Sequence, residues 1–197
     1  MSDGGDKLVS LLALGLLAYG AWWLLEGGGD DGGDGGDQSL PMDASGGAGG
    51  VMDASSVYDL ARSMLQSMGI ADISPAMVVG ISSVETGGKF NPDAVRQEPR
   101  LNDASYGLMQ VLGKTAAWLA TLGYTAYDPG PDSLLTPQGS LYFGCAYLHW
   151  LRNYHGGPNA DEWVVAAYNG GPGGASGPGP QKYLAAYQDA LSGLGFA

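Results

Sequence analysis

The chain has 197 residues, of which 45% are hydrophobic, enough for one packed domain plus extensions. Twenty acidic residues face eight basic ones, a net charge of -12 that repels phosphate backbones and argues against a nucleic-acid partner. A single cysteine, Cys145, excludes an intrachain disulfide and a Cys-rich zinc site, and two histidines leave little for metal binding.

The acidity is concentrated at one end. Residues 1–54 hold nine acids against Lys7 alone, and the remainder holds eleven against seven bases. After a short segment at 1–7, Leu8 to Leu25 is an 18-residue run without a charge. As a helix it would reach about 27 Å, close to the roughly 30 Å of a bilayer core. Tyr19, Trp22 and Trp23 lie toward its C-terminal end, where such rings favour the membrane interface. The preferred reading is a transmembrane anchor contacting the lipid bilayer. A cleaved signal peptide and a buried core helix are the alternatives. Lys7 precedes the span and the next basic residue is Arg62, so the positive-inside rule puts the N-terminus in the cytoplasm and the bulk of the chain on the other side.

Residues 26–54 read as a Gly/Asp-rich flexible linker. A calcium β-roll is disfavoured there because the Gly-Asp stretch lacks the apolar residue that each nonapeptide repeat requires.

Residues 55–197 read as a mainly α domain. Ser55 and Ser56 are N-cap candidates for a helix through Val57, Leu60, Ala61, Met64, Leu65 and Met68, stopped by Gly69. Ser74-Pro75 predicts a second helix through Met77, Val78, Ile81 and Val84, ending at Gly87-Gly88. Further helices are expected at about Lys114–Leu122, from Thr136-Pro137 through Leu151, at Asp161–Tyr168 and at about Gln181–Leu191. No stretch alternates β-branched residues with period two, so no strand is predicted.

Glu85 closes the apolar second helix just before a glycine break, which points its carboxyl toward a groove. Partial burial there would raise its pKa, as a general acid near neutral pH requires. Glu85-Thr86 is followed by Asn91-Pro92-Asp93-Ala94, then Gly107-Leu108-Met109-Gln110, then Ala167-Tyr168-Asn169-Gly170-Gly171-Pro172-Gly173, then Tyr183. In this order the segments resemble the lytic transglycosylases of the soluble-lytic-transglycosylase type, over roughly residues 57–190. The resemblance implies a goose-type lysozyme-like fold and cleavage of the β-1,4 bond between N-acetylmuramic acid and N-acetylglucosamine, leaving 1,6-anhydromuramyl ends. No cofactor and no metal are expected. The expected partners are peptidoglycan glycan strands and, in a phage particle, other virion or membrane proteins. Glu85 would be the catalytic acid/base, with Thr86, Met109, Gln110, Tyr168, Asn169 and Tyr183 as substrate-binding residues. Tyr187, one helical turn beyond Tyr183, competes for the inward position.

Two features depart from the pattern. Thr86 replaces a serine but keeps the hydroxyl. The segment Arg96–Asp103 lengthens the interval between Glu85 and Gln110 and adds two acids, Glu98 and Asp103. Goose-type lysozymes carry assisting aspartates in this region, so a hydrolytic muramidase stays open, as does a glycan-binding structural protein. For Glu98 the simplest expectation is a surface-loop ion pair with Arg96 or Arg100. Cys145 is expected in the core. A role in local wall opening as a phage genome enters is the preferred biological setting, with a bacterial wall-remodelling enzyme as the alternative.

Overall fold

The computed structural model describes residues 50–196. The expected anchor at 8–25 and most of the expected linker lie outside these residues. Among the described residues no helix is long and apolar enough to cross a membrane.

Helix α1 spans Ala54–Ser67 and buries Val57, Ala61, Met64 and Leu65, a single stripe at helical spacing. Its N-cap is Asp53, whose carboxylate accepts from the Ser56 amide at 2.6 Å. The serines expected to cap it lie inside the first turn instead. Met52 also donates its amide to the Phe90 carbonyl at 3.1 Å, so the folded chain takes in Met52–Ala54, which the composition had grouped with the linker. The helix ends at Gly69 with φ 68°, and the Ile70 amide returns to the Leu65 carbonyl as in a Schellman motif.

Helix α2 spans Pro75–Glu85, with Ser74 Oγ accepting from the Met77 amide. Met77 through Ser83 are all buried, so this helix is enclosed on every side and runs through the middle of the domain. A Cβ on Gly80 would come within 2.6 Å of the Tyr187 ring. That absence of a side chain lets the last helix lie directly against α2.

A small antiparallel sheet follows where none was expected. Strand β1 (Val95–Glu98) pairs with β2 (Asp103–Tyr106) in the register Val95↔Tyr106 through Glu98↔Asp103, and β2 pairs with β3 (Val111–Leu112). A 3-10 turn at Pro99–Leu101 and Asn102 at φ 48° close the first hairpin. These strands have two to four residues and carry Arg, Gln, Glu, Asp and Ser, so alternation of β-branched residues could not reveal them. Pairing between neighbours, not propensity, makes them strands.

Helices α3 (Gly113–Thr121), a one-turn α4 (Pro131–Leu134), α5 (Pro137–Arg152), α6 (Asp161–Gly170) and α7 (Pro178–Leu194) complete the domain. The Thr136 hydroxyl caps α5 by accepting from the Gly139 amide. An unbroken buried run from Gly139 to Leu148 makes α5 the second core helix, and Cys145 lies in that core, fully buried. Helix α7 packs on α2 and α6, which aligns its inner face with the C-terminal end of α2.

Candidate active site

Glu85 is the last residue of α2, with its side chain only 6% exposed. Burial pushes its pKa up, and the carbonyl end of a helix dipole also disfavours the charged form. Arg96 and the hydroxyl of Tyr183 oppose that shift in part, while the nearby charge of Glu98 adds to it. The net direction is upward, so the site keeps a carboxylic acid protonated above the usual range.

Two elements contact this carboxyl and a third stands near it. From α7, the Tyr183 hydroxyl donates to Glu85 Oε1 at 2.9 Å. From β1, Arg96 Nη2 stands 3.6 Å from Glu85 Oε2, and Arg96 Nε donates to Glu98 Oε1 at 2.8 Å. From α6, Tyr168 is buried and its hydroxyl donates to the Met109 carbonyl at 2.7 Å. The choice between Tyr183 and Tyr187 is therefore resolved: Tyr183 meets Glu85, and Tyr187 packs its ring against Gly80.

The Gly107–Gln110 turn is built by internal bonds. Gly107 has φ 72°, and a Cβ there would lie 2.2 Å from the Leu134 carbonyl oxygen. Only glycine fits both demands. Gln110 has φ 45°, and its amide donates to the carbonyls of Ala94 and Gly107 at 3.0 and 2.9 Å while its oxygen accepts from Ser105 Oγ at 3.0 Å. Gln110 thus ties the turn to β2 and to the Asn-Pro-Asp-Ala segment, rather than offering a free amide to a sugar.

Met109 departs further from its expected place. It is fully buried, with its sulfur 3.1 Å from Ser82 Oγ and its side chain against Gly144 of α5. It backs the site as core packing, because a glycine on α5 leaves room for it. Thr86 caps α2: its hydroxyl donates to the Ser82 carbonyl at 2.7 Å and accepts from the Phe90 amide at 2.9 Å. Asn169, 8% exposed at the end of α6, has no side-chain hydrogen bond among the described residues, which leaves its amide available to a ligand.

The two acids of the lengthened segment separate. Glu98 is 8% exposed on β1, so its pairing with Arg96 is a buried contact and not a surface-loop pair. Asp103 accepts from the Ala104 and Lys114 amides at 2.8 and 3.0 Å, so it binds the start of α3. Arg96 is the site residue that reading by motifs did not single out. The available signal was its i, i+2 spacing to Glu98, which places both side chains on one face of a strand.

Comparison with known proteins bears on the family. No curated protein sequence matches the chain. Among solved structures, the 70 kDa soluble lytic transglycosylase of Escherichia coli is similar at 23% identity and a TM-score of 0.48, over 67% of this chain and 19% of that one. The present chain therefore spans about one fifth of that protein's length. The family described as the Transglycosylase SLT domain matches residues 64–188, which run from the last turn of α1 to the third turn of α7 and take in Glu85, the Gly107–Gln110 turn, the Tyr168-Asn169 pair and Tyr183. With residues 64–188 matched, well over half of its length, the chain belongs to the SLT transglycosylase family.

Proposed function

We propose that the domain is a peptidoglycan lytic transglycosylase in which Glu85 alone moves the protons. The observation that carries this reading is a buried carboxyl at the end of α2, its pKa raised by burial, with the Tyr183 hydroxyl donating to it. Glu85 donates its proton to the glycosidic oxygen as the C1–O4 bond breaks. The resulting carboxylate takes the proton of the C6 hydroxyl of the same muramyl residue as O6 bonds to C1. A 1,6-anhydromuramyl end forms, and Glu85 is protonated again. The internal hydroxyl gains from proximity, which removes the need for a second carboxylate to hold a water. The placement of the other acids supports this choice over a muramidase, since Glu98 is engaged by Arg96 and Asp103 by backbone amides. Asn169 would hold substrate, and Tyr183 would steady the carboxylate between the two transfers.

The test is mass spectrometry of cell wall digested by the full chain. Anhydromuramyl ends support the reading; reducing muramic ends would replace it with a muramidase, and an absence of released fragments with a glycan-binding role.

The apolar run at 8–25 is proposed to tether this activity to a bilayer, with the wall on the domain's side. A reporter fused behind residues 1–26 should fractionate with membranes and lie outside the cytoplasm; a soluble reporter would rule out the tether. The proposed setting, local wall opening as a phage genome enters, is supported by the pairing of that run with a wall-cleaving domain. It requires co-purification with virions.

A further inference from the structure

The proposed chemistry leaves one charged side chain beside Glu85 without a role. Arg96 sits on β1, two residues from Glu98, and its side chain is 28% exposed. Its guanidinium is used unevenly. Nε is fixed by a 2.8 Å bond to Glu98, while Nη2 stands 3.6 Å from Glu85 Oε2, beyond hydrogen-bond length but within ion-pair range. The guanidinium thus bridges two carboxyl groups, closing on Glu98 and standing off from Glu85. A protonated Glu85 carries no charge and accepts from Tyr183 at Oε1. An ionised Glu85 would draw Nη2 inward at Oε2.

We propose that Arg96 is a positioning residue for Glu85, anchored through Nε by Glu98 so that Nη2 stabilises the carboxylate present between the two proton transfers. The inference rests on the transglycosylase reading for its timing, and on the structure alone for the coupling of the two charges. Glu98 acts as the anchor. Without it, a long side chain on a short edge strand has solvent as a competing partner. The groups that face Glu85 are Arg96 and Glu98 from β1, Tyr183 from α7 and Tyr168 from α6. Both tyrosines are held neutral by burial, so the charge that reaches Glu85 from these groups is that of the Arg96–Glu98 pair.

The sign of each variant follows from that pair. Arg96→Gln removes the cation that favours the carboxylate, so Glu85 should titrate at higher pH. Glu98→Gln removes an anion but keeps an oxygen that can accept from Nε, so the anchor remains and Glu85 should titrate at lower pH. Arg96→Lys keeps the charge and should stay close to the wild type. The measurement is a carboxyl-carbon NMR titration of the full chain labelled with glutamate, with the Glu85 signal identified by its loss in Glu85→Gln. Wall turnover is measured in parallel, where Arg96→Gln should lower kcat by about tenfold or more with KM little changed. Opposite displacements of the two Gln variants, with rescue by lysine, support the proposal. It is overturned by a Glu85 titration that ignores Arg96→Gln, by equal displacement in the Gln and Lys variants, or by Glu98→Gln moving in the same direction as Arg96→Gln. Because the titration is read without substrate, a wild-type chain that released no anhydro ends would defeat the reaction assignment and leave this coupling to stand or fall separately.

Discussion

The Tyr183 hydroxyl donates to Glu85 Oε1 at 2.9 Å, joining two residues 98 positions apart. The bond exists because α7 lies directly on α2 at Gly80, one helical turn and a residue before the acid. Tyr183→Phe should therefore leave the fold in place, remove a donor to the charged form of Glu85, and move the alkaline limb of the activity profile to higher pH. A limb that stays in place would separate Tyr183 from the proton transfers.

Glu85→Gln keeps the shape and hydrogen-bonding capacity of the side chain and removes the transferable proton. Wall cleavage should fall by about 10²–10⁴-fold, the range typical of general acid–base groups. Circular dichroism should show an unchanged helical fold. Near-normal turnover would move the chemistry to another residue.

The same substitution isolates a cost in stability. Glu85 has an ordinary carboxyl value of 4.5 that rises in the native state, so between the two values the native chain holds a proton that the unfolded chain has lost. Stability from this group is then present below the unfolded value and declines as pH rises toward the native one. Urea unfolding of wild type and Glu85→Gln at about pH 4 and about pH 7 should show the mutant gaining relative to wild type at the higher pH. A pH-independent difference would mean that Glu85 is not strained by burial.

Gln110 and Asn169 should separate stability from substrate binding. Gln110→Ala removes two bonds given to backbone carbonyls and one accepted from Ser105, and should cost roughly 2–4 kcal/mol. Asn169→Ala breaks no side-chain bond among the described residues and should cost less than about 1 kcal/mol, with KM for glycan raised. The reverse pattern would return Gln110 to the sugar.

Gly107→Ala places a methyl 2.2 Å from the Leu134 oxygen at a left-handed φ, so a loss of roughly 2–3 kcal/mol or more in urea unfolding is expected. A neutral result would show that the turn is free to rearrange.

Asp103→Asn tests the hydrolytic alternative directly. The carboxylate accepts from the Lys114 amide at the start of α3, so the expected loss is about 1 kcal/mol of stability with wall cleavage retained. A large fall in turnover with stability unchanged would place Asp103 in the chemistry.

Much of the domain is written locally. Ser74-Pro75, Thr136-Pro137 and the Gly69 stop mark helix ends through contacts within four or five residues, and α1, α2 and α5 lie where these signals put them. Glu85 at an apolar helix end, and the order of the motifs after it, likewise require no knowledge of distant contacts. The roles of Met109 and Gln110 were not readable in this way. A thioether packs equally well on a sugar or on Gly144, and an amide bonds equally well to an acetamide or to the carbonyls of Ala94 and Gly107. What decides is which surface the tertiary fold brings within reach. The sheet shows the same limit: VRQE and DASY become strands because a hairpin pairs them, and that pairing sets Arg96 between Glu85 and Glu98. Helix boundaries follow from local hydrogen bonding, whereas the surroundings of the acid follow from packing among α2, α6, α7 and β1, and only the folded chain brings those together.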